Sequence, residues 1–390
     1  MGLNNTPSSE QIHIGFFGIR NAGKSSLVNR ITNQEVSVVS SVKGTTTDAI
    51  RKSMELLPLG PVEIIDTPGF DDCGELGEKR VASTRKILSV CDIAVLVVEG
   101  DSELNVTEKE LIGVFEEREV PYLIAHNKSD LISGFANDEK NIYVSAKENK
   151  GINELKEAIG KTLGNAKKEI RLVADFIKEN DFVILVTPID ESAPKGRMIL
   201  PQQLAIRDII DANAVCVVVQ PEQLEHTLKN TKPALVITDS QVFKKVMNNV
   251  PDDIPLTSFS ILLARYKGFL DTALKGAKEL NNLKDGVKIL IAEGCTHHRQ
   301  CEDIGTVKLP KWIEAYTGKK FNYEFTSGHG FPEDLREFDF ILHCGGCMLT
   351  DKEMLFRMNK ANEQKVPFTN YGTMIAYING ILERSTEIIK

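Results

Sequence analysis

Gly18, Gly23, Lys24 and Ser25 fall at the G-x-x-x-x-G-K-S spacing, between an apolar run at 12–17 and a helical pattern at 24–32. Nothing else in the chain constrains its fold as much. A glycine-rich loop of this kind cradles phosphate only when a buried strand leads into it and a helix N-terminus leads out. The surrounding third of the chain agrees. Runs at 12–17, 62–65, 93–98, 122–126 and 142–144 are near-continuously apolar, as parallel strands buried on both faces are, with helical patterns between them. The reading is a doubly wound α/β domain, closed by a helix after Gly151 and followed by a polar linker near 164–169.

Three further motifs follow in order, each after a strand. Asp66 and Gly69 belong to Asp-Thr-Pro-Gly; Asp66 is placed to hold Mg²⁺ with Ser25, and the Gly69 amide to sense a γ-phosphate. Asn127, Lys128 and Asp130 form N-K-x-D, whose carboxylate accepts two hydrogen bonds from guanine that adenine cannot offer. Ser145, Ala146 and Lys147 suit the base-side wall. With Gly18, Asn21, Ala22, Gly23, Lys24, Ser25 and Ser26 they make a GTP site, and Lys24 neutralises the β- and γ-phosphates.

At 390 residues, 42% hydrophobic, the chain is long enough for two or three domains. The expected division is 1–168, 169–264 and 265–390. The middle part repeats the α/β alternation, with strands at 182–187, 215–219 and 234–238, helices at 201–210 and 241–248, and no chemical motif. It reads as an association domain. A long helix at 262–281 leads into the third part, where strands at 288–292 and 340–343 flank a helix at 310–316. The net charge of −8 argues against broad nucleic-acid binding, and no apolar run is long enough to span a bilayer. The start of the chain matches the short acylation pattern, a weak signal. Seven cysteines, an odd number, point to a reducing, cytoplasmic setting with thiols available as ligands. Cys91 and Cys216 read as packing residues.

Each strand of the third part is followed by metal-capable residues: Cys295 and His297 after the first, then His343, Cys344 and Cys347. If the two strands are neighbours, both clusters meet in one crevice. Three thiolates with imidazole suit zinc or an iron–sulfur cluster, and a dithiol at Cys344 and Cys347 could also serve redox chemistry. The gap from His297 to His343 far exceeds a zinc-finger loop. Gly345 and Gly346 would let the backbone fold tightly around a metal centre. With three Cys, a [4Fe–4S] cluster leaves one iron for another ligand: His297, His343, Glu302, Asp303 or an external group. Cys301 reads as an idle thiol.

The nucleotide module resembles the Era/MnmE-like GTPases. By that resemblance Thr46, within Gly44-Thr-Thr-Thr-Asp48, touches Mg²⁺ and the γ-phosphate, and Thr47 stands where the group commonly has Arg. Asn21 occupies the position that helps hold K⁺ in potassium-activated members. Phe70 sits where Ras-like proteins place a water-orienting Gln, which implies slow intrinsic hydrolysis. Joined to the terminal clusters, the module resembles the [FeFe]-hydrogenase maturation GTPases over nearly the whole chain. That resemblance, not ligand chemistry, favours a [4Fe–4S] cluster on Cys295, Cys344 and Cys347, with His297 and His343 on its exchangeable side. It implies a homodimeric scaffold that receives a diiron precursor made with radical-SAM maturases and delivers it to apo-[FeFe]-hydrogenase. The alternatives are an MnmE-like GTPase with a structural zinc and a redox-sensing GTPase.

Overall fold

The computed structural model describes residues 8–32, 49–57, 59–69, 87–100, 103–164, 170–189, 198–294, 303–328 and 330–389. They form two compact units, Met1–Lys167 and Lys168–Lys390.

The first unit is built on a six-stranded sheet of order β2-β3-β1-β4-β5-β6. Its strands are β1 (Ile12–Phe17), β2 (Ile50–Leu56), β3 (Gly60–Asp66), β4 (Ile93–Glu99), β5 (Tyr122–Asn127) and β6 (Asn141–Tyr143). All pairs are parallel except β2 with β3. Period-two alternation divides β4 between two cores. Ile93, Val95 and Val97 pack on one face with Leu27 and Ile159; Ala94, Leu96 and Val98 pack on the other with Phe17 and Phe115. The edge strand β2 was not expected. It alternates half-buried and exposed residues, so it lacks the apolar run that marked its neighbours.

The second unit contains two four-stranded parallel sheets. One has the order β10-β9-β7-β8, with β7 (Phe182–Val186), β8 (Val215–Val219), β9 (Leu235–Thr238) and β10 (Leu256–Ser258). The other has the order β12-β11-β13-β14, with β11 (Lys288–Glu293), β12 (Asn322–Ser327), β13 (Phe340–His343) and β14 (Phe368–Asn370). They share one hydrophobic cluster that includes Ile184 and Val236 from the first sheet and Leu290 and Ile341 from the second. The helix expected at 262–281 is in fact two, Phe259–Tyr266 and Leu270–Glu279. Gly268, at φ +79°, turns the chain between them. Among the described residues no helix is long and apolar enough to cross a membrane.

Candidate functional site

The phosphate loop leaves β1 at Gly18 and enters the helix Lys24–Thr32, whose first turn carries Ser25 and Ser26. Asn21 adopts a left-handed conformation at φ +67°. Asn127, buried at the end of β5, ties the site together. Its Nδ2 donates to Ala22 O at 2.9 Å, and its Oδ1 accepts from the Ala146 amide at 3.1 Å. This approach explains Gly23: a Cβ there would lie 2.1 Å from Asn127 Nδ2. One side chain thus links the phosphate loop to the base-side loop.

The Lys24 ammonium is buried and donates to Gly18 O at 2.9 Å and Ile19 O at 2.7 Å, which holds it across its own loop. Asp66 ends β3 beside it. Burial raises the Asp66 pKa, opposed by a hydrogen bond from Ser25 and by the charges of Lys24 and Lys52. Its Oδ1 is buried and, among the described residues, makes no hydrogen bond. A desolvated carboxylate oxygen without a partner, next to a serine hydroxyl, is the donor set a hard divalent cation takes, so Asp66 and Ser25 fit Mg²⁺. Gly69 lies against Arg20: a Cβ on it would be 2.9 Å from Arg20 Cα. At the base end, Ser145 Oγ donates to Asp130 Oδ1 at 2.6 Å. That hydrogen bond holds the Asp130 carboxyl below its ordinary range, with Lys147 and Lys150 adding to it. Lys128 adopts φ +63° and pairs with Glu99 at 2.7 Å. Thr46, Thr47 and Phe70 lie outside the described residues.

In the second unit, β11 and β13 are parallel neighbours, with Ala292 opposite His343. The condition for a shared crevice is met. The Cys344 amide continues this ladder to Ala292 O at 2.8 Å. Its Sγ accepts two backbone amides, Gly294 at 3.1 Å and Gly346 at 3.4 Å. Cys295, the residue after Gly294, lies outside the described residues, as do His297, Cys301 and Glu302. Two amides aimed at one sulfur lower the cost of thiolate charge, as metal- and cluster-bound cysteines require, so the described part of the site fits a metal centre. Among the described residues no three His, Cys, Asp or Glu side chains converge on one point. Among the described residues Cys344 and Cys347 are not joined to each other by a disulfide. Cys91 is buried in the core, and burial raises the Cys216 thiol to about 11.

The two glycines between these cysteines are unequal. Gly346 needs φ +63°, and a Cβ there would lie 2.3 Å from Met354 Sδ; at Gly345 the nearest atom is Leu263 Cδ2, 4.0 Å away. Only Gly346 is demanded by the fold.

Three features around the cysteines escaped the sequence reading. Tyr371 and Glu293 sit together beside the site, Tyr371 Oη 3.5 Å from Glu293 Oε1. Burial, with the negative neighbours Cys344, Glu293 and Asp303, raises the Tyr371 pKa well above its ordinary value. Asp303 caps the turn that follows it through Thr306. Lys267, 1% exposed, donates to Leu349 O at 2.5 Å and lies 3.5 Å from Asp351, fastening the cysteine loop from below.

The third is Arg357. It and His343 are fully buried and hydrogen-bonded to each other at 3.1 Å. Burial, then the Arg357 charge, drives the His343 pKa down to about 3, against a hydrogen bond to the Cys344 backbone. His343 was expected on the exchangeable side of a cluster; here both ring nitrogens are engaged, Nδ1 by Cys344 O at 2.8 Å. The Glu353–Arg357 pair at four-residue spacing reads in sequence as a solvated helix face, yet it lies in the core.

This fold and loop set define a P-loop GTPase extended by two parallel α/β sheets. Residues 13–128 match the model of the 50S ribosome-binding GTPase domain. Residues 172–268 match the hydrogen maturase F dimerization domain, and 271–388 its tetramerization domain. The chain belongs to the hydrogen maturase F family and is a hydrogenase maturation GTPase with oligomerisation domains.

Among curated relatives, the tRNA modification GTPase MnmE of Nitrosomonas europaea is 34% identical over 161 residues, covering 40% of this chain and 35% of that protein. GTPase Der of Mycoplasmopsis pulmonis is 30% identical over 192 residues, covering 44% of each. The chain thus spans less than half the length of these relatives. Solved structures with some likeness include a probable GTP-binding protein engB, at 25% identity and TM-score 0.33, covering 39% of this chain and 99% of that one. A bacterial selenocysteine-specific elongation factor has 18% identity and TM-score 0.34, covering 46% and 33%.

Proposed function

We propose that this GTPase is a scaffold that carries a [4Fe–4S] cluster and passes a diiron precursor to apo-[FeFe]-hydrogenase. Cys295, Cys344 and Cys347 would hold the cluster, leaving one iron for an exchangeable ligand, with His297 among its candidates. One observation carries this reading: β11 and β13 are neighbours, and the amide preceding Cys295 bonds the sulfur of Cys344. A three-cysteine site suits a carrier, because the fourth position can take and release a partner without dismantling the cluster. The precursor would arrive from radical-SAM maturases.

In the nucleotide site, Lys24 would meet the β- and γ-phosphates, Asp130 would read guanine, and Gly69 would report the γ-phosphate to the segment after it. Mg²⁺, held by Ser25, Asp66 and Thr46, would supply charge neutralisation on the phosphates. Asn21 would place K⁺ beside them. Phe70 cannot orient water by hydrogen bonding, so turnover would be slow and the site would act as a timer. The working division is 1–168 for GTP, 169–264 for dimerisation and 265–390 for the cluster, in a cytoplasmic protein. Among the described residues β8 is an edge strand with Val215 and Val218 exposed, and it would offer the dimer an apolar surface.

Anaerobic reconstitution with iron and sulfide, followed by metal analysis and EPR, tests this. About four irons per chain with a [4Fe–4S] signal is the expected result; stoichiometric zinc without that signal would refute it.

A further inference from the structure

The buried group beside Cys344 offers a role that the cysteine pattern alone conceals. Arg357 is 1% exposed and, among the described residues, makes three directed contacts: Nε with Glu353 Oε1 at 2.8 Å, Nη2 with Gly328 O at 2.7 Å, and Nη1 with His343 Nε2 at 3.1 Å. Its guanidinium also lies over the Phe331 ring, 5.1 Å from the centroid. Guanidinium donates and never accepts. His343 Nε2 must therefore be the acceptor, and the imidazole proton must sit on Nδ1, which donates to Cys344 O at 2.8 Å. An imidazole binds a metal through a nitrogen lone pair. The one lone pair of His343 is spoken for.

We propose that Arg357 is a positioning residue that locks His343 into a single tautomer, so that His343 braces the Cys344 carbonyl and does not bind metal. This deepens the cluster reading and rests on it. Arginine suits the task better than a neutral donor. An amide or a water could reverse its roles and let the ring exchange tautomers; Arg357 cannot, and Glu353 and Gly328 hold its plane. His343 then fixes the backbone of a residue whose sulfur is already held by Gly294 and Gly346. The fourth corner of the cluster stays open to another ligand, although a histidine adjoins the cysteine pair.

The test uses the full chain, ¹⁵N-labelled at histidine and reconstituted anaerobically. His343→Gln preserves both bonds, its oxygen accepting from Arg357 and its nitrogen donating to Cys344 O. It should keep the iron content and the EPR signal of the parent. Arg357→Met should free Nε2 and bring a strong histidine nitrogen coupling to the reduced cluster. That coupling should be absent from Arg357→Lys, which retains a donor, and from Arg357→Met combined with His343→Gln. A parent cluster whose nitrogen coupling vanishes in His343→Gln overturns the proposal, as does Arg357→Met with no new coupling. If Arg357→Met does not fold, His343→Gln decides alone. In the metal-free protein, nitrogen NMR should find His343 protonated at Nδ1; protonation at Nε2 overturns the proposal. That measurement stands even if the parent takes up no cluster, a result that would instead sink the scaffold reading.

Discussion

The nucleotide site and the cysteine site both lie at the carboxyl ends of parallel strands, yet they are assembled differently. In the first, the described functional groups sit in the loops that follow the strands or in the first turn of the helix Lys24–Thr32, and one buried side chain, Asn127, joins the loops. In the second, the joining is done by backbone: a strand pairing and two amides converging on one sulfur. A site linked by a side chain keeps its plan when its loops move. A site linked by backbone holds only while the two strands stay in register.

The sharpest break of this comparison is a crossed pair. Lys24→Ala should lower kcat/KM for GTP about a hundredfold or more, as loss of a preorganised charge donor does, with iron content unchanged. Cys344→Ala should remove the cluster and leave GTP hydrolysis within about twofold, a change of less than 1 kcal/mol. If either variant loses both activities, the two sites are not separable. Next in size is Asp130→Asn. It removes hydrogen bonds to an ionised acceptor, so GTP affinity should fall roughly 10- to 100-fold in a nucleotide titration.

Calorimetry on Gly346→Ala and Gly345→Ala probes the backbone-built site. The first should cost about 1–3 kcal/mol through strained φ and overpacking against Met354; the second should stay within about 0.5 kcal/mol. Equal losses would contradict the asymmetry described. Asp66 supplies a pH arm. Its raised pKa means that the carboxylate Mg²⁺ needs is lost as pH falls, starting above the ordinary Asp range, so Mg²⁺-dependent GTP binding should weaken there. The same sign makes the buried charge a cost at neutral pH, so Asp66→Asn should raise the melting temperature while lowering hydrolysis. Smallest is the ion effect: Na⁺ in place of K⁺ should slow turnover severalfold, and Asn21→Ala should erase the difference.

The two sites also differed in how far sequence revealed them. Gly18, Lys24, Asp66 and Asp130 declared themselves because their spacing to strand and helix is fixed by local chain geometry. The short strands β10, β12 and β14 did not, since three to six residues, partly polar, carry no periodicity. The break at Gly268 was hidden inside a pattern that continued helically on both sides. Arg357 and Lys267 were unreadable for a deeper reason. Their partners, His343 and Leu349, are decided by how helices pack on the β11–β13 pair, and no local rule reports that a charged side chain points inward. Cys344 was legible as a ligand type, but the amides that make its sulfur a good one come from Gly294 and Gly346.

Lys267 carries one more consequence. Its ammonium is sealed beneath the cysteine loop and bound to Leu349 O, so reagents that label amines reach it only when that loop lifts. The surface lysines should react at once and this one on the clock of local opening. Its labelling rate would therefore time the exposure of the cysteine crevice, and a partner that pries the loop up would announce itself as a lysine gaining reactivity far faster than the chain unfolds.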